Sequence, residues 1–340
     1  MNRHSLLITL AALVVAGCGT KESQPAAEPA TLTKTDLAMF APLPAATDAK
    51  GQPLSEAKVA LGRALYYETV MSQSHDVSCN SCHALNGWGA DGRKVSLGHD
   101  GTAGSRNSPT VYNTAGHTSQ FWDGRAADLE EQAKGPILNP VEMGMPDTTA
   151  VLTHLRGSSS YVALFRSAFP GEAQPVTYDN VGNAIGAFER GLLTPARWDT
   201  FLEGDSTALS PEEKQGLSTY ISTGCQACHA GAYLGGDRFM KAGLQVAWFS
   251  QADSGRYHVT KDANDLFVFK VPSLRNIDKT DPYFHDGSIA SLNETVRLMA
   301  HHQLGKELAP NDVQSIVTWM GALTGDLNTE YIAFPQQPKK

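Results

Sequence analysis

Cys79-Asn80-Ser81-Cys82-His83 returns, with two changes, as Cys225-Gln226-Ala227-Cys228-His229. Cys-x-x-Cys-His is the attachment motif for c-type haem: the two thiols add to the vinyl groups at one porphyrin edge, and the adjacent imidazole reaches the iron from one face. A four-cysteine zinc site or a thiol redox pair would not need a histidine directly after both pairs. The chain has five cysteines, so these two motifs take all but Cys18. Two covalently bound c-type haems follow, with Cys79, Cys82, Cys225 and Cys228 as attachment points. His83 and His229 are the proximal ligands.

The similarity extends outward from the motifs. Ser55 opens an apolar-periodic stretch through Val59, Leu61 and Leu65 ahead of the first motif. Ser210-Pro211-Glu212-Glu213 opens a second one, with an N-cap Ser, Pro at the first helical position and Glu three residues after the cap. Downstream, Pro109-Thr110-Val111-Tyr112-Asn113 matches Pro272-Ser273-Leu274-Arg275-Asn276, and Phe121-Trp122-Asp123-Gly124 matches Phe284-His285-Asp286-Gly287. The fold class is therefore mainly α, two cytochrome c-like haem domains related by an internal repeat. Further helices are predicted over 126–134, 148–156, 159–168, 178–192, 291–301 and 310–323, with one strand over 266–271. The Gly-rich stretch between Leu85 and Ser108 reads as a long loop, and loops of that length in compact domains are usually functional.

The repeat also separates the two haems. Fourteen positions after Trp122 stands Pro136, and fourteen after His285 stands Met299. Methionine is a haem ligand that raises the reduction potential, whereas proline cannot bind iron. Met299 is accordingly the expected distal ligand of the second haem, with Met240, His258, His301 and His302 as competitors. The first iron is left able to open. His75, His99 and His117 are its candidate sixth ligands; His99, in the Gly-rich loop, is the one best placed to leave.

The net charge of −8 argues against a nucleic-acid partner. An apolar run from Leu6 to Gly17 is too short to span a bilayer and fits a signal peptide over 1–17. Val15-Ala16-Gly17-Cys18 resembles a lipoprotein cleavage box, which implies a lipid anchor on Cys18 and a periplasmic location, the outer membrane in preference to the inner. Residues 18–36 read as the lipidated Cys and a flexible tether. An N-terminal haem domain over 37–194 and a C-terminal one over 195–340 follow, with the boundary near Thr194 to Leu209, where Pro195, Gly204 and Asp205 interrupt the helical pattern.

From about Leu54 to Leu323 the chain resembles the bacterial dihaem cytochrome c peroxidases. The resemblance rests on both haem motifs, Gly98-His99, Asn107-Ser108-Pro109-Thr110, the stretch from Phe121 to Ala133, Asn139-Pro140-Val141-Glu142-Met143, Val271 to Asn276, Pro282 to Gly287 and the Met299 segment. It implies reduction of hydrogen peroxide with electrons from a small cytochrome c or cupredoxin. Within that scheme His83 and His99 are the axial pair of a low-potential peroxidatic haem, and His229 and Met299 that of a high-potential electron-transfer haem. Glu142 is the acid–base carboxylate, Gln132 and Pro136 are its pocket neighbours, and Trp122 lies between the haems. Asn107 with the carbonyls of Thr280 and Pro282 is a calcium site, and the chain is a homodimer. Two alternatives remain at this point. One is a dihaem electron-transfer cytochrome; the other is a protein-oxidising dihaem enzyme, whose relatives carry Tyr at the position of Met299.

Overall fold

A computed structural model describes residues 32–335. The signal peptide, Cys18 and most of the tether lie outside that range. Among the described residues no helix is long and apolar enough to cross a membrane. The helices are α1 (Lys34–Leu37), α2 (Glu56–Tyr66), α3 (Cys79–Cys82), α4 (Leu129–Leu138), α5 (Thr148–Gly157), α6 (Ser159–Ala168), α7 (Tyr178–Glu189), α8 (Arg197–Leu202), α9 (Pro211–Thr223), α10 (Tyr257–Thr260), α11 (Leu292–Leu304) and α12 (Pro310–Met320). Strands β1 (Phe239–Lys241) and β2 (Val268–Lys270) pair antiparallel, Met240 opposite Phe269.

The caps read from the sequence form as expected. Ser55 accepts from Lys58 N at the start of α2. Ser210 and Glu213 make a reciprocal capping box at the start of α9. Each of these helices then crosses a later one at a glycine. A Cβ on Gly62 would lie 1.8 Å from the Ala184 carbonyl oxygen of α7, and one on Gly216 would lie 2.0 Å from the Ser315 carbonyl oxygen of α12. Backbone on the far side cannot yield cheaply, so Gly62→Ala or Gly216→Ala is expected to lower stability by about 1–3 kcal/mol, read as a fall in the denaturant midpoint. One turn after each glycine a buried tyrosine points at a haem motif. Tyr66 donates to the His83 carbonyl at 2.8 Å and Tyr220 to the His229 carbonyl at 2.6 Å.

Two apolar cores result. The first gathers Leu61, Leu65, Leu85, Ile137, Val151, Phe165, Ile185 and Phe188; the second gathers Trp198, Leu217, Tyr220, Leu274, Val296, Ile316 and Trp319. The first and last described segments exchange sides: Phe40 is buried in the second core and Ile332 in the first. Thr194 stands where the two halves meet. Asn113 Nδ2 and Asn276 Nδ2 donate to the same Thr194 hydroxyl, at 2.8 and 2.9 Å. Both asparagines have positive φ, near 60°, a conformation Asn tolerates better than most residues.

Three expectations differ from what forms. The tether reading ran to residue 36, but Thr33 and Asp36 make a capping box on α1, and Leu32 and Leu37 pack on the second core. The stretch from Thr194 to Leu209 holds α8, which carries the fully buried Trp198. The helix read over 126–134 begins at Leu129 and continues through Pro136 to Leu138. The stretch after Leu85 is a long loop, as expected, and its tip is braced: Leu97 bridges Ala103, and Gly98 N donates to Thr102 O at 2.9 Å.

Candidate functional site

Each haem motif holds its histidine in one tautomer. His83 Nδ1 meets the Pro109 carbonyl at 2.9 Å and His229 Nδ1 meets the Leu234 carbonyl at 3.1 Å. A carbonyl only accepts, so Nδ1 carries the proton in both and Nε2 keeps a lone pair for a metal. Burial pushes both imidazoles below their usual range, which favours that neutral, ligating form. The four motif cysteines are free. Burial raises all of their thiols, Cys225 to about 12. No group of three or more His, Cys, Asp or Glu among the described residues is arranged to hold a metal ion. Two free cysteines at Cys-x-x-Cys spacing and one adjacent imidazole with Nε2 available, in each unit, fit thioether attachment of two haems.

The chain that follows α4 comes up to the first motif. Pro136 lacks the N–H that would extend the helical ladder. The chain then turns back, and Met143 N and Met145 N donate to the Pro136 and Ile137 carbonyls at 3.1 and 2.9 Å. This return sets Glu142, which accepts from Asn139 Nδ2 at 2.9 Å. Burial raises the Glu142 carboxyl, while the nearby Arg125 charge and the Asn139 bond pull it down. Its charge in turn acts on the thiols of Cys79 and Cys82, which places it on the first motif's side. Arg125 stacks over Phe121, 3.4 Å from the ring centroid, and is held by Asp123 at 3.1 Å. Gln132 lies one turn before Pro136 on α4, half-buried.

His99 comes to the same place. Its N–H donates to the Glu142 carbonyl at 2.8 Å, and its ring lies so close to Gly144 that a Cβ there would be 2.3 Å from Nε2. Of the other two candidates, His75 is exposed beside His154, and His117 is at the junction of the halves. Neither joins Glu142.

On the second unit Met299 is half-buried on α11, outside the core that takes in Val296, while Leu298 and Ala300 on either side of it are buried. Among its competitors, His302 is tied through Nδ1 to the Val246 carbonyl at 3.0 Å and packs on Trp248, His301 bonds Glu307, and His258 is exposed. Trp122 lies between the halves. Its Nε1 donates to the Asn107 carbonyl at 2.9 Å, and its ring centroid is 6.4 Å from that of His285. The backbone crosses there reciprocally: Asn107 N donates to His285 O and Lys270 N to Trp122 O, each at 2.8 Å. Asn107 Nδ2 donates to the Arg93 and Lys94 carbonyls, at 3.0 and 3.4 Å, which leaves Oδ1 as the acceptor of that side chain. Thr280 and Pro282 follow a short 3-10 turn over Ile277–Lys279.

Sequence reasoning missed Tyr66 and Tyr220, although both halves spell Gly-x-x-x-Tyr ahead of the motif. It also missed Glu189, fully buried on α7. Burial raises its carboxyl to about 8, and its charge reaches Cys79. Nothing in the sequence marks it apart from any helical Glu.

A sequence profile of the family described as di-haem cytochrome c peroxidase matches residues 56–207. The chain is 43% identical over 308 residues to the cytochrome c551 peroxidase of Pseudomonas aeruginosa, covering 88% of each protein. It is 41% identical over 278 residues to the cytochrome c peroxidase Ccp of Escherichia coli, covering 80% of this chain and 59% of that one. The methylamine utilization protein MauG of Methylorubrum extorquens is 35% identical over 265 residues, 77% of this chain and 73% of that one. A crystal structure of a MauG-like protein associated with microbial copper homeostasis superimposes with a TM-score of 0.77 at 26% identity, over 86% of this chain and 97% of that one. The diheme peroxidase BthA from Burkholderia thailandensis shares the fold, with a TM-score of 0.67 at 17% identity over 87% of this chain and 92% of that one. With two Cys-x-x-Cys-His motifs built alike and 43% identity across nearly all of one such enzyme, the chain belongs to the di-haem cytochrome c peroxidase family.

Proposed function

We propose that this protein reduces hydrogen peroxide to water with electrons from a small cytochrome c or cupredoxin. The observation that carries the reading is the asymmetry of the two units. Glu142, Asn139 and His99 are drawn together beside the first motif, and the matching position of the second unit offers Met299. The haem irons, when bound, supply the peroxide coordination site and the electrons. Glu142 takes a proton from one peroxide oxygen and returns it to the other, which leaves as water. Asn139 holds the carboxylate in place through that transfer. Two electrons from the donor and two protons from solvent complete the conversion of one peroxide to two waters.

Electrons enter at the unit of His229 and Met299, over 195–340, and pass by way of Trp122 to the unit of His83, over 37–194. The hydrogen bond from Trp122 Nε1 to Asn107 fixes the ring at the junction, which supports that role. His99 would be the residue that holds the first iron at rest and is released on reduction of the second. Export, an anchor on Cys18, a homodimer and a calcium ion at Asn107, Thr280 and Pro282 complete the reading. The Oδ1 that Asn107 leaves as acceptor supports the last of these. Met299 in place of Tyr speaks against the protein-oxidising alternative.

Peroxide turnover with a reduced small cytochrome c tests this on fully oxidised enzyme and on enzyme with only the high-potential haem reduced. Activity solely after half-reduction is expected. Activity in both states would remove the His99 gate, and inactivity in both would overturn the peroxidase reading. In the gated case, His99→Gly is expected to turn over without prior reduction.

A further inference from the structure

At the junction of the two units a lysine is buried without an anion. Lys270, on β2, is 8% exposed. Its ammonium donates to the Ser119 carbonyl at 2.8 Å and meets His117 Nδ1 at 3.3 Å. Among the described residues no carboxylate lies within ion-pair distance of it. Asp123 acts on it from farther away and is already paired with Arg106 at 2.7 Å and with Arg125 at 3.1 Å. A buried ammonium without a counter-charge is costly, and such groups are normally paired.

The neighbouring groups point the same way. With Lys270 donating to Nδ1, His117 is the neutral tautomer whose Nε2 carries the proton; burial and the lysine's charge both disfavour a second one. That Nε2 is buried and has no partner, and the buried Ser119 hydroxyl has none either. Three donors, one of them cationic, are thus gathered from a first-half segment and a second-half strand, with too few acceptors to satisfy them. The His117 ring lies against Gly236 and Tyr233, in the loop that follows His229, and Lys270 N is bonded to the Trp122 carbonyl. The cluster therefore borders the second motif and the tryptophan between the units.

We propose that Lys270, His117 and Ser119 form a carboxylate-binding site that receives a haem propionate at the junction of the two haem units. This rests on the two-haem reading. A c-type haem keeps both propionates after its vinyl groups are used, and these are anions of the size and chemistry such a donor set accepts. The site then gives Lys270 a second role. A fixed positive charge beside a haem disfavours the oxidised, more positive state, so Lys270 raises the potential of the haem whose propionate it holds.

The test uses the dihaem holoprotein and reads the midpoint potential of each haem by optical redox titration, after haem content per chain is measured. In Lys270→Met, one midpoint is expected to fall, its reduction equilibrium shifting by about tenfold towards the oxidised form. Lys270→Arg should keep the wild-type value. The haem that moves identifies the propionate's source. Ser119→Ala keeps the lysine, and is expected to shift the propionate bending band of the same haem in the resonance Raman spectrum. Unchanged potentials in Lys270→Met with both haems loaded would overturn the proposal. An unmoved band in Ser119→Ala would also overturn it, and would decide the matter alone if Lys270→Met failed to mature. Fewer than two haems per wild-type chain would overturn the two-haem reading, and this proposal with it.

Discussion

Replacing Glu142 with Gln is expected to cut peroxide turnover by about 10²–10⁴-fold while both haems stay attached. The substitution is close to isosteric. The introduced glutamine keeps a side-chain oxygen for the Asn139 amide, which meets Glu142 Oε1 at 2.9 Å, and the backbone bond from His99 N to the carbonyl of this position does not depend on the side chain. What is lost is the group proposed to take up and release a proton. Glu142 suits that task because opposing effects hold it: burial raises its carboxyl, and Arg125 and Asn139 pull it back. The variant isolates chemistry from architecture when turnover is measured beside haem content and the rate of electron uptake from reduced cytochrome c. A loss of turnover with normal electron uptake is the expected result. Turnover within a factor of about three of wild type would mean that proton transfer runs without this carboxylate, since general acid–base catalysis contributes far more than that.

The parts of the fold that were legible in the sequence are those fixed by short-range chemistry. The haem motifs, the Ser55 cap and the box of Ser210 with Glu213 each involve residues within a few positions of one another. What was not legible depends on partners far along the chain. Helix α8 is six residues long between Pro195 and Gly204, too short to show a period. It is held instead by burial of Trp198 and by Asp199, whose partners include Leu43 and Arg275. Helix α4 outlasts Pro136 because the returning backbone of Met143 and Met145 satisfies its last carbonyls. The site shows the same division. Glu142 and His99 were named from motifs, but the backbone bond between them and the seating of the His99 ring on Gly144 depend on how two loops dock. Lys270 was hidden inside a run read only as an apolar strand, although the register that pairs Pro109 with Pro272 also pairs Asn107 with Lys270. A lysine opposite a buried asparagine was the available signal.

Arg275→Met is expected to cost about 3–5 kcal/mol of stability at neutral pH, the range for removing one partner of a buried ion pair. Arg275 is 1% exposed. It grips Asp199 through Nη1 to Oδ2 at 2.6 Å and Nη2 to Oδ1 at 2.8 Å, and also donates to the Ala232 carbonyl through Nε and Nη2 at 2.9 and 2.7 Å. Asp199 further accepts from Ala196 N and Leu43 N, both at 2.8 Å. The Arg275–Asp199 pair thus ties the chain's early segment, the start of the second unit and the loop after its haem motif. Methionine fills much of the volume and leaves Asp199 charged without a cation. The pH dependence tests the cause. Burial pushes the Asp199 carboxyl up, but the Arg275 hydrogen bonds and charge, with the two backbone donors, hold it below its usual range. A carboxyl lowered in the folded state adds stability that is present above its unfolded value, near 4, and is lost as pH falls through the folded value. The wild type therefore loses this contribution in acid. The variant, in which burial acts with less opposition, has little of it to lose. The gap between the two denaturant midpoints should be widest near pH 7 and narrow below about pH 4. A gap that stays constant with pH would assign the loss to packing. Asp199→Asn combined with Arg275→Met should then recover nothing, whereas an electrostatic origin predicts that removing both charges restores part of the loss.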